Sequence, residues 1–208
     1  MKNIIIISIV LSFFSSSWAQ SIKGEFKFTK RPPFAGVVYL SEDTSLAGKK
    51  DVALDQKDKL FSKKVIVVPR SSVVAFKNSD EIDHNIFSDD KAVDVKFDAG
   101  LVAPGSEARQ KADWPEGTVA RIGCKIHPKM RSYVAVVSSA YFTEIEFNTK
   151  EKVKSFEVSA VPENLKKVRV WLPRYEPIEI EISSGETKTV EIKKPGKTTV
   201  YGTLTLQR

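Results

Sequence analysis

The sequence contains very few side chains that bind soft or borderline metal ions. Among 208 residues there is one cysteine, Cys124, and there are two histidines, His84 and His127, and two methionines, Met1 and Met130. A single cysteine excludes a disulfide within this chain. An unpaired thiol is also open to oxidation in an oxidising compartment. The cysteine therefore calls for a functional explanation.

Other features are scarce as well. The formal charge of +7 is not gathered into a block of like charge, so nucleic acid is not an expected partner. Hydrophobic residues make up 41% and charged residues 28% of the chain, a composition that excludes intrinsic disorder and a collagen-like fibre. The length suits one large or two small globular domains.

Residues 1–19 have the pattern of a secretory signal peptide. Lys2 precedes an apolar run over residues 4–14, and Ser17 and Ala19 supply the small side chains that signal peptidase accepts. The run is too short to span a bilayer. We expect cleavage before Gln20, which is not a lipid-anchoring cysteine. The mature protein is thus expected in the periplasm or outside the cell with no integral membrane segment, and an uncleaved anchor is the alternative.

Three of the scarce side chains lie close together in a Cys-x2-His-x2-Met pattern. Cys124, His127 and Met130 occupy a loop between the strand-like runs 119–123 and 133–137. Two imidazoles, a thiolate and a weak axial thioether are the ligands of a mononuclear electron-transfer copper site. Zinc is the main competitor, but thioether is not among its usual ligands. Taken singly, each residue could also be an ordinary core or polar residue.

The segment from Phe61 to Val137 resembles the cupredoxins, the blue copper proteins, and among them the amicyanin type with its short ligand loop. The pair His84-Asn85 agrees with this, because the first histidine ligand of cupredoxins is commonly followed by asparagine. The resemblance implies one type 1 copper ion that alternates between Cu(I) and Cu(II). It makes His84, Cys124 and His127 the equatorial ligands and Met130 the axial one.

The resemblance also implies a supporting role for Asn85, which is not itself a ligand. Its backbone amide would donate to the Cys124 sulfur and tune the reduction potential. Electrons would leave through His127. Four basic and no acidic residues lie between Arg121 and Arg131. This basic stretch either attracts an acidic redox protein or is an ordinary solvated rim.

Short runs rich in β-branched and aromatic residues, separated by prolines and glycines, predict an all-β chain. Residues 20–140 are expected to form a Greek-key cupredoxin sandwich, and residues 141–208 a second small β-sandwich. Residues 41–60 are predicted to be an insertion loop with one helical turn near 52–60. The run 156–172, with Trp171, is similar to the carboxypeptidase regulatory-like module. Some bacterial cupredoxin-like proteins, often labelled methylamine utilisation proteins, carry this module at the C-terminus.

The preferred function is that of an electron carrier and not an enzyme. Its partner would be a redox protein such as a cytochrome or a dehydrogenase. One metal with a full ligand set leaves no histidine or cysteine for a substrate or a second metal. Two alternatives stay open. A copper chaperone or store would exchange its metal rapidly, and a metal-stabilised structural or interaction module would accept zinc as well as copper.

Overall fold

The computed structural model describes residues 20–48 and 51–208. The predicted signal peptide, residues 1–19, lies outside the described residues. Every regular element in the described ranges is a β-strand. No helix in these ranges is both long enough and apolar enough to cross a membrane.

Seventeen strands follow one another along the described chain. They are β1 (Gln20–Phe28), β2 (Ala35–Leu40), β3 (Val52–Lys57), β4 (Leu60–Phe61), β5 (Ile66–Val68), β6 (Ser72–Asn78), β7 (His84–Asp90), β8 (Val95–Val102), β9 (Glu107–Ala112), β10 (Val119–Cys124), β11 (Arg131–Val136), β12 (Phe142–Glu146), β13 (Val153–Val161), β14 (Lys167–Trp171), β15 (Ile178–Glu181), β16 (Thr187–Lys193) and β17 (Val200–Gln207). They form four sheets. The strand orders are β13-β1-β17-β16 in the first sheet, β12-β2-β14-β15 in the second, β5-β11-β10-β7-β8 in the third and β4-β3-β6-β9 in the fourth.

Three apolar clusters hold the four sheets in a stack. One cluster contains residues of the first and second sheets, among them Phe26 and Leu40. Another contains residues of the third and fourth sheets, among them Phe76 and Ile122. The remaining cluster joins the second and third sheets and includes Val37. Alternate side chains of β2 enter two different clusters, which explains why all six residues of β2 are buried.

One sandwich is inserted into the other. Strands β3 to β11 form the third and fourth sheets, which we call the inserted sandwich. The first and second sheets, the outer sandwich, combine β1 and β2 with β12 to β17. The all-β class and the presence of two sandwiches are confirmed.

The sheet pairing differs from the predicted division at residue 140. The prediction put residues 20–140 in one domain and 141–208 in another, but β1 pairs with β13 and β17, and β2 pairs with β12 and β14. Sequence reasoning assigned each strand to its neighbours along the chain, which is the commoner arrangement. Pairing between distant segments leaves no local signal. The similarity of residues 156–172 to the carboxypeptidase regulatory-like module stays a prediction.

The predicted loop with a helical turn at residues 52–60 is instead a β-hairpin. Strand β3 pairs in parallel with β6 and antiparallel with β4. Between β3 and β4, Asp58 and Lys59 have φ angles of 53° and 57°, as both central residues of a type I′ hairpin turn require. Only Leu54 and Gln56 of β3 are fully buried. The strand was missed because its second half, Asp55, Gln56 and Lys57, is polar.

Candidate metal centre

Three of the predicted ligands meet at one end of the inserted sandwich. His84 begins β7, Cys124 ends β10, and His127 lies in the loop between β10 and β11. Strands β7 and β10 are neighbours, with Cys124 opposite Ile86, so the sheet itself brings the first two side chains together. His84 and Cys124 are buried, whereas His127 is partly exposed.

The three ligand atoms form a nearly equilateral triangle. His84 Nδ1 lies 3.1 Å from His127 Nδ1, and Cys124 Sγ lies 3.7 Å from the former and 3.6 Å from the latter. A circle through three such atoms has a radius of about 2 Å, close to the roughly 2.0–2.3 Å between zinc and its nitrogen or sulfur ligands. The side chains therefore have the spacing that one transition-metal ion needs.

Met130 ends the loop that carries His127. Its side chain is 1% exposed. Its backbone amide donates to the His127 carbonyl at 2.9 Å, so residues 127–130 form a turn that runs from one predicted ligand to another. The turn keeps a buried thioether, which is a soft and weak metal ligand, within three residues of the imidazole.

The Cys124 sulfur accepts a backbone hydrogen bond. The amide of Asn85 donates to Cys124 Sγ at 3.4 Å, and the amide of Lys125 donates to the Asn85 carbonyl at 3.0 Å. The Asn85 side chain is directed elsewhere and donates to Asp98 at 3.3 Å. Asp98 also accepts from Lys125, which compensates one of the charges in the basic stretch. Hydrogen bonds to a ligating sulfur help to set the potential of its metal.

Sequence reasoning missed the role of Asp80. His84 Nε2 lies 2.8 Å from Asp80 Oδ2, and a proton on Nε2 leaves Nδ1 free to bind a metal. The carboxylate also accepts the amides of Asp58 and Lys59 at 2.8 and 2.9 Å. The Lys59 amide is the main reason that the pKa of Asp80 is lowered, while burial acts in the opposite direction. The aspartate four residues before the histidine was visible in the sequence, but the hairpin turn that orients it was not.

Asn78, also missed, holds the loop between β6 and β7. It is 1% exposed. Its Nδ2 donates to the carbonyls of Ile82 and Val102 at 2.8 and 2.7 Å, and its Oδ1 accepts the Asp80 amide at 3.0 Å. These contacts fix the segment that carries Asp80 and leads into His84. The site is thus preorganised by residues that do not themselves point at the ligand triangle.

The protonation of His127 also suits a ligand. Burial lowers the pKa of His127, and electrostatic interactions with His84 and Lys59 act in the same direction. Asp80 acts in the opposite direction. At neutral pH the imidazole is therefore in the uncharged form that binds metal ions.

No family model matches the chain, and no curated protein sequence matches it. Solved structures that are similar to part of the chain include a purple cupredoxin from Nitrosopumilus maritimus, with 21% identity over 41% of this chain and 99% of that chain at a TM-score of 0.36. Amicyanin from Paracoccus versutus has 16% identity over 53% of this chain and 96% of its own, at a TM-score of 0.37. A copper-containing nitrite reductase from Thermus scotoductus has 21% identity over 42% of this chain and 22% of its own, at a TM-score of 0.38. Likenesses of this size do not establish function, which has to be inferred from the geometry of the residues.

Proposed function

We propose that the chain is a type 1 copper protein that carries single electrons between redox proteins, in the periplasm or outside the cell. The observation that carries the proposal is the convergence of His84 Nδ1, Cys124 Sγ and His127 Nδ1, at separations of 3.1 to 3.7 Å. These three residues, together with Met130, would hold the ion. Copper bound there would supply a one-electron Cu(I)/Cu(II) couple.

The protein's own contribution is to keep the ligands in place. His84 and Cys124 lie on neighbouring strands and are buried. Asp80 fixes the His84 ring, and the Asn85 amide is directed at the Cys124 sulfur. Thiolate and thioether suit Cu(I), and imidazole also suits Cu(II). A ligand set that suits both oxidation states needs to move little when copper gains or loses an electron. This would favour fast electron exchange with a partner.

Exposed apolar side chains on the segments around the site support docking of a redox partner. The described residues include five exposed large hydrophobic side chains, and four of them are on segments that lead to the site. These are Leu60 (61% exposed), Ile82 (37%), Leu101 (67%) and Ile126 (50%). Leu101 lies opposite Asn85, and Ile126 directly precedes His127. Exposed apolar patches mark interaction sites, so a cytochrome or dehydrogenase would bind here, over the half-buried ligand.

Burial of the ligands favours an electron carrier over a copper chaperone or store. His84 is 0% and Cys124 is 2% exposed. A protein that hands its metal to an acceptor needs ligands that the acceptor can reach, whereas an electron can pass through the edge of one imidazole. The burial of two ligands therefore supports a metal that stays with the protein.

The test is a visible and electron paramagnetic resonance spectrum of the mature protein with one equivalent of Cu(II). We expect intense thiolate-to-copper absorption and narrow copper hyperfine splitting. Both should be lost in Cys124→Ser, while circular dichroism shows that this variant is still folded. Cyclic voltammetry should then give a reversible one-electron wave for the unmodified protein.

Two results would contradict the proposal. A colourless protein that binds zinc as tightly as copper would indicate a metal-stabilised structural module. Rapid transfer of copper to a metal-free acceptor, without electron exchange, would indicate a copper-handling protein.

A further inference from the structure

A large cavity lies between the outer and inserted sandwiches, apart from the candidate metal centre. Its volume is about 620 Å³, which lies within the range of small-molecule sites. The segment before β2 and the turns after β12 and β14 line one part of it, and Lys64 and the start of β11 line another. None of the four predicted metal ligands is among the described lining residues.

The cavity is strongly basic. Five cationic side chains line it, and no carboxylate is among its described lining residues. The five are Arg31, Lys64, Arg131, Arg174 and Lys194. Within the described ranges, none of the five forms an ion pair. Lys64 Nζ donates to the Phe147 carbonyl at 2.7 Å, but no ion pair among the described residues neutralises the positive charge that faces the cavity.

Aromatic rings orient several of these cations. The Arg131 guanidinium lies 4.5 Å from the centre of the Phe34 ring, and Lys64 Nζ lies 5.2 Å from it. Lys194 Nζ lies 4.5 Å from the centre of the Tyr201 ring. A ring attracts a cation without neutralising it. The cations are thus positioned while their charge stays available to a ligand.

Arg174 occupies a backbone conformation that suits glycine. Its φ angle is 72°, in the left-handed region that side chains other than glycine rarely adopt. It lies in a turn in which the Tyr175 amide donates to the Leu172 carbonyl at 3.1 Å. Strained residues are concentrated at functional sites. This turn places the Arg174 side chain at the wall of the basic cavity.

Tyr133 adds a neutral hydrogen-bond donor to the cavity. Burial raises the pKa of Tyr133, while the guanidiniums of Arg121, Arg131 and Arg174 act in the opposite direction. The hydroxyl group therefore stays protonated at neutral pH. Two exposed polar residues, Asn148 and Thr149, line the rim.

We propose that this cavity binds a small organic polyanion, a molecule with two or more carboxylate or phosphate groups. Arg31, Arg131 and Arg174 would bind the anionic oxygens, because guanidinium groups pair with carboxylates and phosphates in fixed bidentate geometry. Phe34 would contact the body of the ligand. This site goes beyond electron transfer and does not depend on it, since its lining residues are separate from the metal ligands.

The test is calorimetric titration of the full chain with citrate, with fructose 1,6-bisphosphate and with fructose. We expect saturable one-to-one binding of at least one anion, weakening as salt is raised, and no binding of fructose. The anion that binds more tightly identifies carboxylate or phosphate as the preferred group. Arg131→Gln and Arg174→Gln should each lower the affinity at least tenfold, or about 1.4 kcal/mol. Arg70→Gln, an exposed arginine outside the cavity, should change it less than twofold.

A second variant separates binding from folding. Arg174→Gly relieves the strained φ angle, so the melting temperature should stay the same or rise while the affinity falls at least tenfold. Ala160→Gly is the matched control, because Ala160 also has a positive φ, of 57°, but is outside the cavity. It should leave the affinity unchanged.

Several results would overturn the proposal. One is the absence of saturable binding of either anion. Another is an equal loss of anion affinity in the Arg70 and Arg174 variants. A further one is binding of fructose as tight as that of the anions. Binding of hexaglutamate without binding of either small anion would also overturn it and would assign the cavity to an acidic protein partner.

Discussion

At the scale of single residues, Asp80 connects the candidate metal centre to a distant turn. Its carboxylate lies against His84 Nε2 and also accepts the amides of Asp58 and Lys59. Neither amide is near Asp80 in sequence. The two amides reach Asp80 because β3, which precedes them, pairs with β6. Asp80 lies two residues after the end of β6. Asp80 therefore links the turn between β3 and β4 to the His84 ring, so the position of the turn helps to fix the orientation of this predicted ligand.

Replacing Asp80 by alanine should weaken copper binding by roughly 10- to 100-fold, the usual effect of removing a partner of a ligating histidine. The His84 ring would lose the contact that fixes its orientation. Competition with a chelator of known affinity measures the change. Asp83→Ala is the matched control, because Asp83 is exposed on the same loop. Equal copper affinity in Asp80→Ala and the unmodified protein would contradict this role.

Two neighbouring carboxylates should make the fold sensitive to acid. Glu42 accepts the amides of Lys167 and Lys166, which in that order lower the pKa of Glu42. Burial acts to raise the pKa of Asp43, but the Ala140 amide and nearby serine groups outweigh it, so the pKa is lowered. Both groups therefore stabilise the fold when they are ionised.

The free energy of unfolding should fall as the pH is lowered from about 5 to 3. A carboxylate whose pKa is lower in the folded than in the unfolded protein stabilises the fold fully at pH values above its unfolded pKa, near 4. This stabilisation is lost as the pH falls toward the folded pKa. Asp43→Asn should lower the free energy of unfolding by about 1 kcal/mol at pH 7. Between about pH 5 and 3, the free energy of unfolding of this variant should fall less than that of the unmodified protein. Urea unfolding at both pH values tests this, with the exposed Glu163→Gln as control. An unaltered pH dependence in Asp43→Asn would rule out this carboxylate as a cause.

At the scale of elements, β17 has no room for a side chain at Gly202. A Cβ atom there would collide with the Lys27 carbonyl oxygen on β1 and crowd Phe28. The Lys27 oxygen and the Phe28 Cα are backbone atoms of a paired strand, so they cannot move without disturbing the ladder. Gly202→Ala should therefore destabilise the protein by about 3 kcal/mol, measured by urea unfolding.

Gly196→Ala is the control for this prediction. Gly196 has a φ of 67° and nothing within 4 Å of the added atom, so only backbone strain of about 1 kcal/mol is expected. Equal losses in the two variants would show that the β1–β17 ladder can adapt.

The strands that could be predicted were those with apolar or alternating residues. Residues 141–208, which were predicted to be β-structure, contain six strands, β12 to β17. Strands β7 and β9 carry weaker sequence signals, because β7 ends in Asp89 and Asp90 and β9 has one buried residue, Ala112. Backbone pairing with neighbouring strands places these two in their sheets, and a single sequence carries no signal of it.

The candidate site was predictable to the extent that it is local. Cys124, His127 and Met130 share one loop, and His84 was singled out by the scarcity of histidine. The contribution of Asp80 was not predictable, because its orientation depends on a parallel pairing between β3 and β6. Local motifs reveal ligands, whereas the residues that position ligands depend on the tertiary fold.

At the scale of the whole molecule, the outer sandwich depends on its first two strands. Strand β1 lies between β13 and β17, and β2 lies between β12 and β14. A fragment of residues 141–208 would lack both, and its apolar faces would be left in water. We expect this fragment to be unfolded by circular dichroism and by amide chemical shifts.

A rearranged fragment provides the control. Joining residues 20–40 to the end of 141–208 through a flexible linker supplies β1 and β2 and should restore a folded sandwich. A folded 141–208 fragment without them would contradict the dependence on these strands.

The insertion of one sandwich within the other also sets an order of events during synthesis. Strands β1 and β2 leave the ribosome before the inserted sandwich, but β12 to β17 follow it, and Lys23 pairs with Gln207. Synthesis proceeds at roughly 5–20 residues per second, so about ten seconds or longer pass between the synthesis of β1 and that of its partner β17. During this time the edges of the first strands are unpaired and prone to aggregate. The inserted sandwich needs no such delay, since all its strands arrive in succession. The part of the nascent chain most exposed to aggregation is therefore its first two strands and not the inserted sandwich, which holds the candidate metal centre.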